Sequence, residues 1–173
     1  MKKQLLIVDG YNMIGAWTET HRLFQDNQLE QARDILLAKL SNYAGFEGIE
    51  VICVFDAQYV PGVASKFTHH NVMVIFTEED ETADAYIEKL AGECQNILTT
   101  VYVATSDLAE QWVIFSQGAM RVSARELEER VNLRKQDLTR HNKVLTTQKP
   151  RTSWDDTQLS DLKALLFKLG EHE

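Results

Sequence analysis

The sequence predicts an α/β protein in which a mostly parallel sheet is covered by helices on both faces. Short apolar runs alternate with segments of helical spacing along the 173 residues, the order produced when parallel strands are joined by crossover helices. A chain of this length buries a sizeable core, and 44% hydrophobic with 25% charged residues excludes disordered and fibrous classes. No apolar run approaches the roughly 20 residues that span a bilayer, so we expect a cytoplasmic protein without a membrane partner.

Two strands and one helix are predicted in the first part of the chain. Residues 4–8 are an apolar run that ends in Asp-Gly, which is typical of a buried parallel strand followed by a turn. Residues 28–44 have apolar side chains at helical spacing, and Gly45 and Gly48 are expected to end that helix. Residues 51–55 form a second β-rich run, which also ends in an aspartate. A loop is expected to follow it.

The second part of the chain continues the alternation. Residues 71–76, 100–104 and 120–122 are predicted as three further strands. The helix between the first two has one apolar face, made of Ala83, Ile87, Leu90, Ala91 and Cys94. The next helix follows Ser106, a candidate cap, and we expect its aromatic residues Trp112 and Phe115 to lie in the core.

A final pair of helices is predicted around a polar linker. Ser123 and Glu126 have the spacing of a capping box that opens a long helix. A polar segment around Pro150 then precedes an amphipathic helix. We expect residues 1–145 to form the main domain, and residues 146–173 to form a linker and a helix packed on it or appended to it.

The charge is unevenly distributed along the chain. The net charge is −8, but residues 118–151 contain nine Lys and Arg against four Asp and Glu, a net of +5, whereas the rest has a net of −13. A basic segment beside an acidic body can hold a polyanion locally, although a solvated helix face is an equally plain explanation. The candidate RNA-binding residues are Lys66, Arg121, Arg125, Arg130, Arg134 and Lys135.

Acidic residues follow the predicted strands. Asp9, Asp56 and Asp107 come after the first, second and fourth strands, and Glu81 and Asp84 begin the helix after the third. Ligand sites in parallel sheets lie beyond the carboxyl ends of the strands, so these acids should meet at one edge. Each alone is more typical of a turn or helix cap, but the combination favours a site.

Clustered carboxylates repel one another strongly unless a cation lies between them. Oxygen ligands without His or Cys suit Mg²⁺ or Mn²⁺ rather than zinc, and such ions serve phosphodiester hydrolysis by activating water and neutralising the leaving oxygen. Asn12 adds a polar group suited to orienting a phosphate or a water molecule. Tyr11 and Trp17 could stack on bases, with a core position equally expected.

The residues that carry these features resemble a known family. The segment from Val8 to Ile14, with the sequence VDGYNMI, is similar to the opening of NYN-domain ribonucleases, a branch of the PIN-like nucleases. The later segments VFDA, FT with ETAD, and ATSD match that family in order, and QGA with SAREL narrows the resemblance to the bacterial YacP type. The resemblance covers roughly residues 4–145.

The resemblance implies a three-layer PIN-like fold, a divalent metal, and cleavage of single-stranded messenger RNA at the ribosome. It implies catalytic roles for Asp9, Asp84, Asp107 and Asn12. The metal ligands implied by the residues and the resemblance together are Asp9, Asp56, Glu81, Asp84 and Asp107.

Three functions fit parts of this pattern. The favoured one is a metal-dependent endoribonuclease, and the alternative is a non-catalytic RNA- or ribosome-binding module with a PIN-like shell. A pure binder gains nothing from a negative pocket that faces phosphates, which argues against the alternative. An aspartate-nucleophile phosphatase is disfavoured, because that chemistry usually needs a second Asp two residues after the first and position 11 is Tyr.

Overall fold

The computed structural model of the protein describes residues 2–59 and 65–147. The described chain contains six strands, six α-helices and one short 3-10 helix. In chain order they are β1 (Lys3–Asp9), α1 (Gly10–Ala16), α2 (His21–Gln25), α3 (Leu29–Glu47), β2 (Glu50–Phe55), the 3-10 helix (Ala57–Tyr59), β3 (Ser65–His69), β4 (Val72–Phe76), α4 (Ala83–Cys94), β5 (Thr99–Ala104), α5 (Leu108–Ser116), β6 (Met120–Val122) and α6 (Ala124–Thr147).

The six strands form one sheet in the order β3-β4-β2-β1-β5-β6. All neighbouring pairs are parallel except β3 and β4, which form an antiparallel hairpin at one edge. β1 is central, with Asp9 level with Val54 of β2 and Val8 level with Ala104 of β5. The carboxyl ends of β2, β1 and β5 therefore adjoin, as the alternating pattern predicts.

Two separate apolar cores cover the two faces of this sheet. One core packs β-strand side chains against α1, α3 and the first turns of α6, and includes the fully buried Trp17, Leu36 and Leu40. The other packs the opposite face against α4 and α5, around Ile87 and Ile114. Alternate residues of a strand point to opposite faces, which is why the strands inside the sheet, β1, β2, β4 and β5, are mostly apolar. The predicted three layers and mostly parallel sheet are confirmed.

The structure corrects some of the predicted elements. Residues 65–69, predicted as part of a loop, form the edge strand β3, which returns through a two-residue turn at His70 with a left-handed φ of 54°. Helix α3 continues through Gly45 and ends at Gly48, whose φ of 65° is easily adopted by glycine. Trp112 and Phe115 are 75% and 62% exposed, so their predicted core position is wrong.

The predicted capping box at the start of α6 is confirmed. The backbone N–H of Ser123 donates to Glu126 Oε2 at 2.7 Å, and the N–H of Glu126 donates to Ser123 Oγ at 3.2 Å. Each of these bonds satisfies a donor that the helix itself leaves without a partner. The strand β6 and the helix α6 are thereby joined through a fixed turn.

The chain divides into two compact units, Met1–Gln136 and Asp137–Glu173. The first contains the whole sheet. Of the second, the structure describes only residues 137–147, which are the last turns of α6. The predicted final helix lies outside the described residues, so the predicted domain division stays a prediction. No described helix is long and apolar enough to cross a bilayer.

Replacing Gly10 with alanine should destabilise the protein. A Cβ at this position would lie 2.2 Å from the ring of Phe55, which is fully buried and packs against Tyr11 and Phe76. The ring therefore cannot move without displacing other core side chains. We expect the free energy of unfolding in urea to fall by about 1–3 kcal/mol.

Gly15→Ala is the matched control in the same helix. Its Cβ would meet only the ring of Phe24, at 3.9 Å, which is ordinary van der Waals contact. The better helix propensity of alanine should leave stability unchanged or raise it by up to ~1 kcal/mol. Equal losses in the two variants would contradict the close packing inferred at Gly10.

Candidate active site

Four aspartates approach one another at the carboxyl edge of the central strands. Asp9 ends β1, Asp56 follows β2, Asp107 follows β5, and Asp84 lies in the first turn of α4. Their carboxylates interact: beyond the larger effect of burial, the negative charges of Asp84, Asp56 and Asp107 all raise the pKa of Asp9. The structure thus brings together four of the five predicted acids.

Asp9 is the buried member of this cluster, with 8% of its surface exposed. Burial raises its pKa from 3.8 to about 7, against a smaller lowering effect of the hydrogen bond from the backbone N–H of Asn12. That bond, 3.3 Å long, caps helix α1. Asp9 is therefore a helix cap and a perturbed carboxyl at once, since the cap uses one oxygen and leaves the other toward the cluster.

Asp84 lies within hydrogen-bond reach of Asp9, although it is more exposed. The pKa of Asp84 is raised mainly by partial burial, then by the charges of Asp107 and Asp56, and is lowered by the hydrogen bond with Asp9. A hydrogen bond between two carboxyl groups needs a proton on one of them, and the raised pKa of Asp9 makes it the group that keeps a proton more readily. The pair is therefore the electrostatic centre of the site.

Asp56 links two segments of the site through its side chain. Its Oδ1 accepts the backbone N–H of Gln58 at 2.9 Å, and its Oδ2 accepts the N–H of Ala83 at 3.2 Å. The second bond fixes the start of α4 beside the end of β2. Since Asp84 is the next residue, Asp56 positions the acid that contacts Asp9.

Asn12 links two segments on the other side of β1, as Asp56 does beside β2. Its Oδ1 accepts the backbone N–H of Ser106 at 2.8 Å, which joins helix α1 to the loop after β5. In that loop Asp107 Oδ1 accepts the N–H of Ala109 at 2.8 Å, so Asp107, rather than the predicted Ser106, caps α5. The predicted catalytic role of Asn12 stays a prediction beside this structural one.

Glu81 is the predicted metal ligand that does not join the cluster of four aspartates. It is half-buried in the turn before α4, and its N–H donates to the carbonyl oxygen of Glu78. Its charge is not among those that perturb Asp9 or Asp84. A role as a metal ligand would require its side chain to turn toward the other acids.

The donor set suits a hard divalent cation because it consists of carboxylate oxygens alone. The hydrogen-bonded pair of Asp9 and Asp84 fits the same ion, since a cation can replace the shared proton and let both groups be charged. In this conformation, no three His, Cys, Asp or Glu side chains of residues 2–59 and 65–147 are close enough together to enclose a metal. Binding would therefore draw the carboxylates inward.

Comparison with known proteins places this site in a family. The family model described as YacP-like NYN domain matches residues 6–167. The chain belongs to this family. Among the relatives, the Bacillus subtilis (strain 168) protein named Uncharacterized protein YacP is 51% identical over 146 residues, which covers 84% of this chain and 85% of the relative.

Solved structures of the YacP-like NYN family have the same fold. The crystal structure of Rae1 (YacP) from Bacillus subtilis is 46% identical with a TM-score of 0.74, and covers 95% of this chain and 92% of that chain. The crystal structure of a mutant of the same Bacillus subtilis protein is 48% identical with a TM-score of 0.75, and covers 84% of this chain and 85% of that chain. The predicted family and fold are confirmed, and the family indicates a nuclease-type function related to RNA.

The predicted RNA-binding residues do not form one surface. Lys66 lies in β3, at the opposite edge of the sheet from Arg121 in β6. On α6, the Nε of Arg125 lies 3.0 Å from Glu129 in an exposed ion pair. Arg134 pairs with Glu47 and lies over the ring of Phe46, so part of the basic segment is used within the fold.

The other two predicted cations of α6 also have electrostatic partners in the fold. Arg130 forms a side-chain hydrogen bond with Tyr43, and the charge of Lys135 lowers the pKa of Glu19. Burial is the main cause that raises the pKa of Tyr43, and the hydrogen bond with Lys39 is the main cause that lowers the pKa of Glu19. Arg121 and Arg125 are the exposed basic side chains nearest the start of the helix.

A cleft of about 730 Å³ opens beside the acids rather than over them. Its lining includes Ser106 next to Asp107, and Glu19, Lys39 and Arg125 further away. Because charges of both signs line it, with Lys39 held by Glu19, the cleft is poorly suited to attract a polyanion. The acid cluster remains the better candidate for the chemistry.

Sequence reasoning missed Arg33 and left two aromatic residues undecided. Tyr11 and Trp17 are both buried, so the core alternative is confirmed for them. The Nη1 of Arg33 donates to Tyr11 Oη at 3.0 Å, which brings a cation to the edge of the site from helix α3. Nothing in the sequence distinguishes Arg33 from an ordinary surface arginine, because the contact joins residues 22 positions apart.

Asp9→Asn should stabilise the cation-free protein at pH 8 and have little effect near pH 4. The folded pKa of about 7 exceeds the usual 3.8, so the folded state binds a proton that the unfolded state has lost. Stability therefore falls as pH rises from about 4 to 7 and levels off above that. A shift of about three units corresponds to roughly 4 kcal/mol.

The measurement is thermal unfolding with EDTA across this pH range. The control is Asp34→Asn, which removes an exposed carboxylate of α3 and should leave the pH profile unchanged. A lower melting temperature for Asp9→Asn at pH 8 would mean that the charged carboxylate stabilises the fold, against the assignment made from its burial.

Proposed function

We propose that the protein is a metal-dependent endoribonuclease that cleaves single-stranded RNA, with messenger RNA on the translating ribosome as its substrate. The observation that supports this most is the cluster of four coupled aspartates, in which burial and like charges raise the pKa of Asp9 and Asp84. A fold maintains such repulsion at a cost, and perturbed carboxyls are typical of functional sites.

The chemistry of the site follows from its carboxylates. A bound Mg²⁺ or Mn²⁺ would supply activation of water and neutralisation of charge on the leaving oxygen. Asp9 and Asp84 would hold the ion with Asp107, while Asp56 fixes the start of α4 and Asn12 fixes the loop after β5. Because no pair of histidines faces this site among the described residues, we expect products with 5′-phosphate and 3′-hydroxyl ends.

The ribosome as a partner and messenger RNA as the substrate rest on the resemblance to the YacP-type family. The alternative, a non-catalytic RNA-binding module, makes a different prediction about the acids. A binder would bind RNA more tightly when one repelling carboxylate is removed and would show no cleavage. A nuclease loses cleavage with the same change.

Asp84→Asn should reduce RNA cleavage by a factor of about 10² or more while leaving the fold intact, because Asp84 is exposed and its charge is repelled by its neighbours. Cleavage by the wild type should stop in EDTA and return with Mn²⁺ or Mg²⁺. The measurement is sequencing of the RNA ends produced by each protein, with and without translating ribosomes.

Asp80→Asn is the control for that experiment. It changes an exposed acid four residues earlier, in the turn before α4, and should keep wild-type activity. Cleavage that persists in EDTA, or that survives Asp84→Asn, would contradict the proposed mechanism. Loss of cleavage together with a large fall in melting temperature would assign Asp84 a structural role instead.

Charge reversal at Arg121 and Arg125 should weaken RNA binding and reduce its salt dependence. Both are exposed basic residues near the start of α6, and the ion pair of Arg125 with Glu129 is too exposed to contribute much stability. Each lost phosphate contact on a single strand lowers the slope of log K against log salt by ~0.7. Binding is measured by fluorescence anisotropy over a series of salt concentrations.

Lys89→Glu is the control, since Lys89 is an exposed cation of α4 on the other face of the sheet. It should leave the slope close to that of the wild type. If the double variant at Arg121 and Arg125 behaves like Lys89→Glu, the start of α6 is a solvated face and phosphate contacts lie elsewhere.

A further inference from the structure

Six aromatic rings form a continuous series beside the acid cluster, and Phe24 is at one end of it, 6.2 Å from Tyr59. The ring centroids of Tyr59 and Tyr11 are 4.5 Å apart, those of Tyr11 and Phe55 are 5.0 Å apart, and those of Phe55 and Phe76 are 5.3 Å apart. Phe67 on the edge strand β3 continues the series, 6.2 Å from Phe76 and nearly parallel to it. The series crosses from the end of β1 to the edge of the sheet.

Two rings of this series, Tyr59 and Phe67, are open to solvent. Tyr59 is 41% exposed and Phe67 is 46% exposed, whereas Tyr11 and Phe55 are buried. The buried rings keep the series in place, because Phe55 is fully buried and packs against the rings of Tyr11 and Phe76. An exposed ring that is supported from behind by another ring is a rigid surface on which a flat group can stack.

A cation lies along the same series. The guanidinium of Arg33 donates to the hydroxyl of Tyr11 and lies 5.8 Å from the centroid of Phe76. Arg33 is half-buried, and no carboxylate within residues 2–59 and 65–147 forms an ion pair with it. Lys66 is exposed but points to the opposite face of the sheet from Phe67, because it pairs with Ile75 whereas Phe67 pairs with Val74. Arg33 therefore supplies the positive charge beside the rings, in a protein whose net charge is −8.

The position of the rings relates them to the acids. Tyr11 is two residues after Asp9, and Tyr59 is three residues after Asp56, in the 3-10 helix that follows β2. A polynucleotide with one phosphate at the carboxylates would therefore have its neighbouring bases next to these rings.

We propose that Tyr59 and Phe67 stack on unpaired bases of the RNA strand on the β3 side of the acids, and that Arg33 contacts its phosphates. This inference rests on the proposed function and specifies where the substrate binds. Stacking accepts any base, because every base has a π face, and it requires unpaired bases, since the two faces of a paired base are already covered in a duplex. The surface would therefore select single-stranded RNA without selecting sequence.

The chemistry of the surface favours a polynucleotide over a protein partner. A protein-docking patch would be expected to add aliphatic side chains to the rings, but the most exposed aliphatic residues in the described part of the chain, Ile97, Leu98 and Leu133, lie before β5 and on α6. A cation beside flat rings, as Arg33 is here, matches phosphates beside bases.

The test measures binding of short single-stranded RNA that contains 2-aminopurine, in the Asp84→Asn background so that no cleavage occurs. We expect the probe fluorescence to be quenched on binding, and Tyr59→Ala or Phe67→Ala to weaken binding about 5- to 150-fold. Replacement by Trp at either position should retain binding. Trp112→Ala, which removes an exposed aromatic residue of α5, is the matched control and should have no effect.

Abasic RNA provides a second arm. If the base and the ring are in contact, the effects on the binding free energy of removing the base and of removing the ring should not be additive. Tyr59→Ala should therefore cost little affinity toward RNA that is abasic at the stacked position. With Asp84 intact, the same variants should raise KM more than they lower kcat. Both readouts separate stacking from a general loss of structure.

The outcomes distinguish the two proposals. If the wild type cleaves RNA in a metal-dependent way but both alanine variants bind like Trp112→Ala, the stacking surface is wrong and the nuclease proposal stands. If single-stranded RNA binds with quenching that depends on Tyr59 and Phe67 but is never cleaved, the nuclease proposal is wrong and the stacking surface stands. No binding of single-stranded RNA would overturn the stacking surface outright.

Discussion

The burial of the Asp9 carboxyl is the constraint on which the rest of the site depends. Its charge is unfavourable because little water reaches it and three other aspartates lie nearby. The carboxyl is buried because β1 is the central strand, so its last residue lies between the ends of β2 and β5. The position that gives Asp9 its unusual pKa is therefore also the position where the topology brings the most neighbours together.

The hydrogen bonds that cap the helices are the same ones that position the acids of the site. Asp9 caps α1, Asp107 caps α5, and Asp56 holds the first N–H of α4. Asp9 and Asp107 each accept a helix N–H with one oxygen, whereas both oxygens of Asp56 accept backbone N–H groups, and these bonds hold the carboxylates in place at the strand ends. Capping is therefore compatible with the proposed function, because it holds a carboxylate in a fixed position at a strand end.

The parts of the fold that follow from the spacing of apolar residues can be predicted from the sequence. Apolar strands ending in Asp predict a parallel sheet and an acidic edge, since topology then fixes which ends adjoin. The sequence does not predict the elements whose position depends on contacts between residues far apart in the chain. β3 was missed because Ser65–His69 has almost no buried residues and is held by pairing with β4 alone. The core position predicted for Trp112 is wrong because the sequence does not show which face of α5 is buried; in the described part of that helix Ile114 is fully buried and Trp112 is exposed.

The distribution of charge around the acids bears on how an acidic protein can hold RNA at all. Arg134 and Arg125 are engaged with Glu47 and Glu129, so the basic segment offers less free positive charge than its composition suggests. Contacts that do not rely on charge then become more important near the carboxylates, where phosphates are repelled. Stacking on rings supplies such contacts, and it does not weaken with salt as phosphate contacts do. In the proposed nuclease, aromatic residues beside the acids and cations away from them would therefore make complementary contacts with one RNA strand.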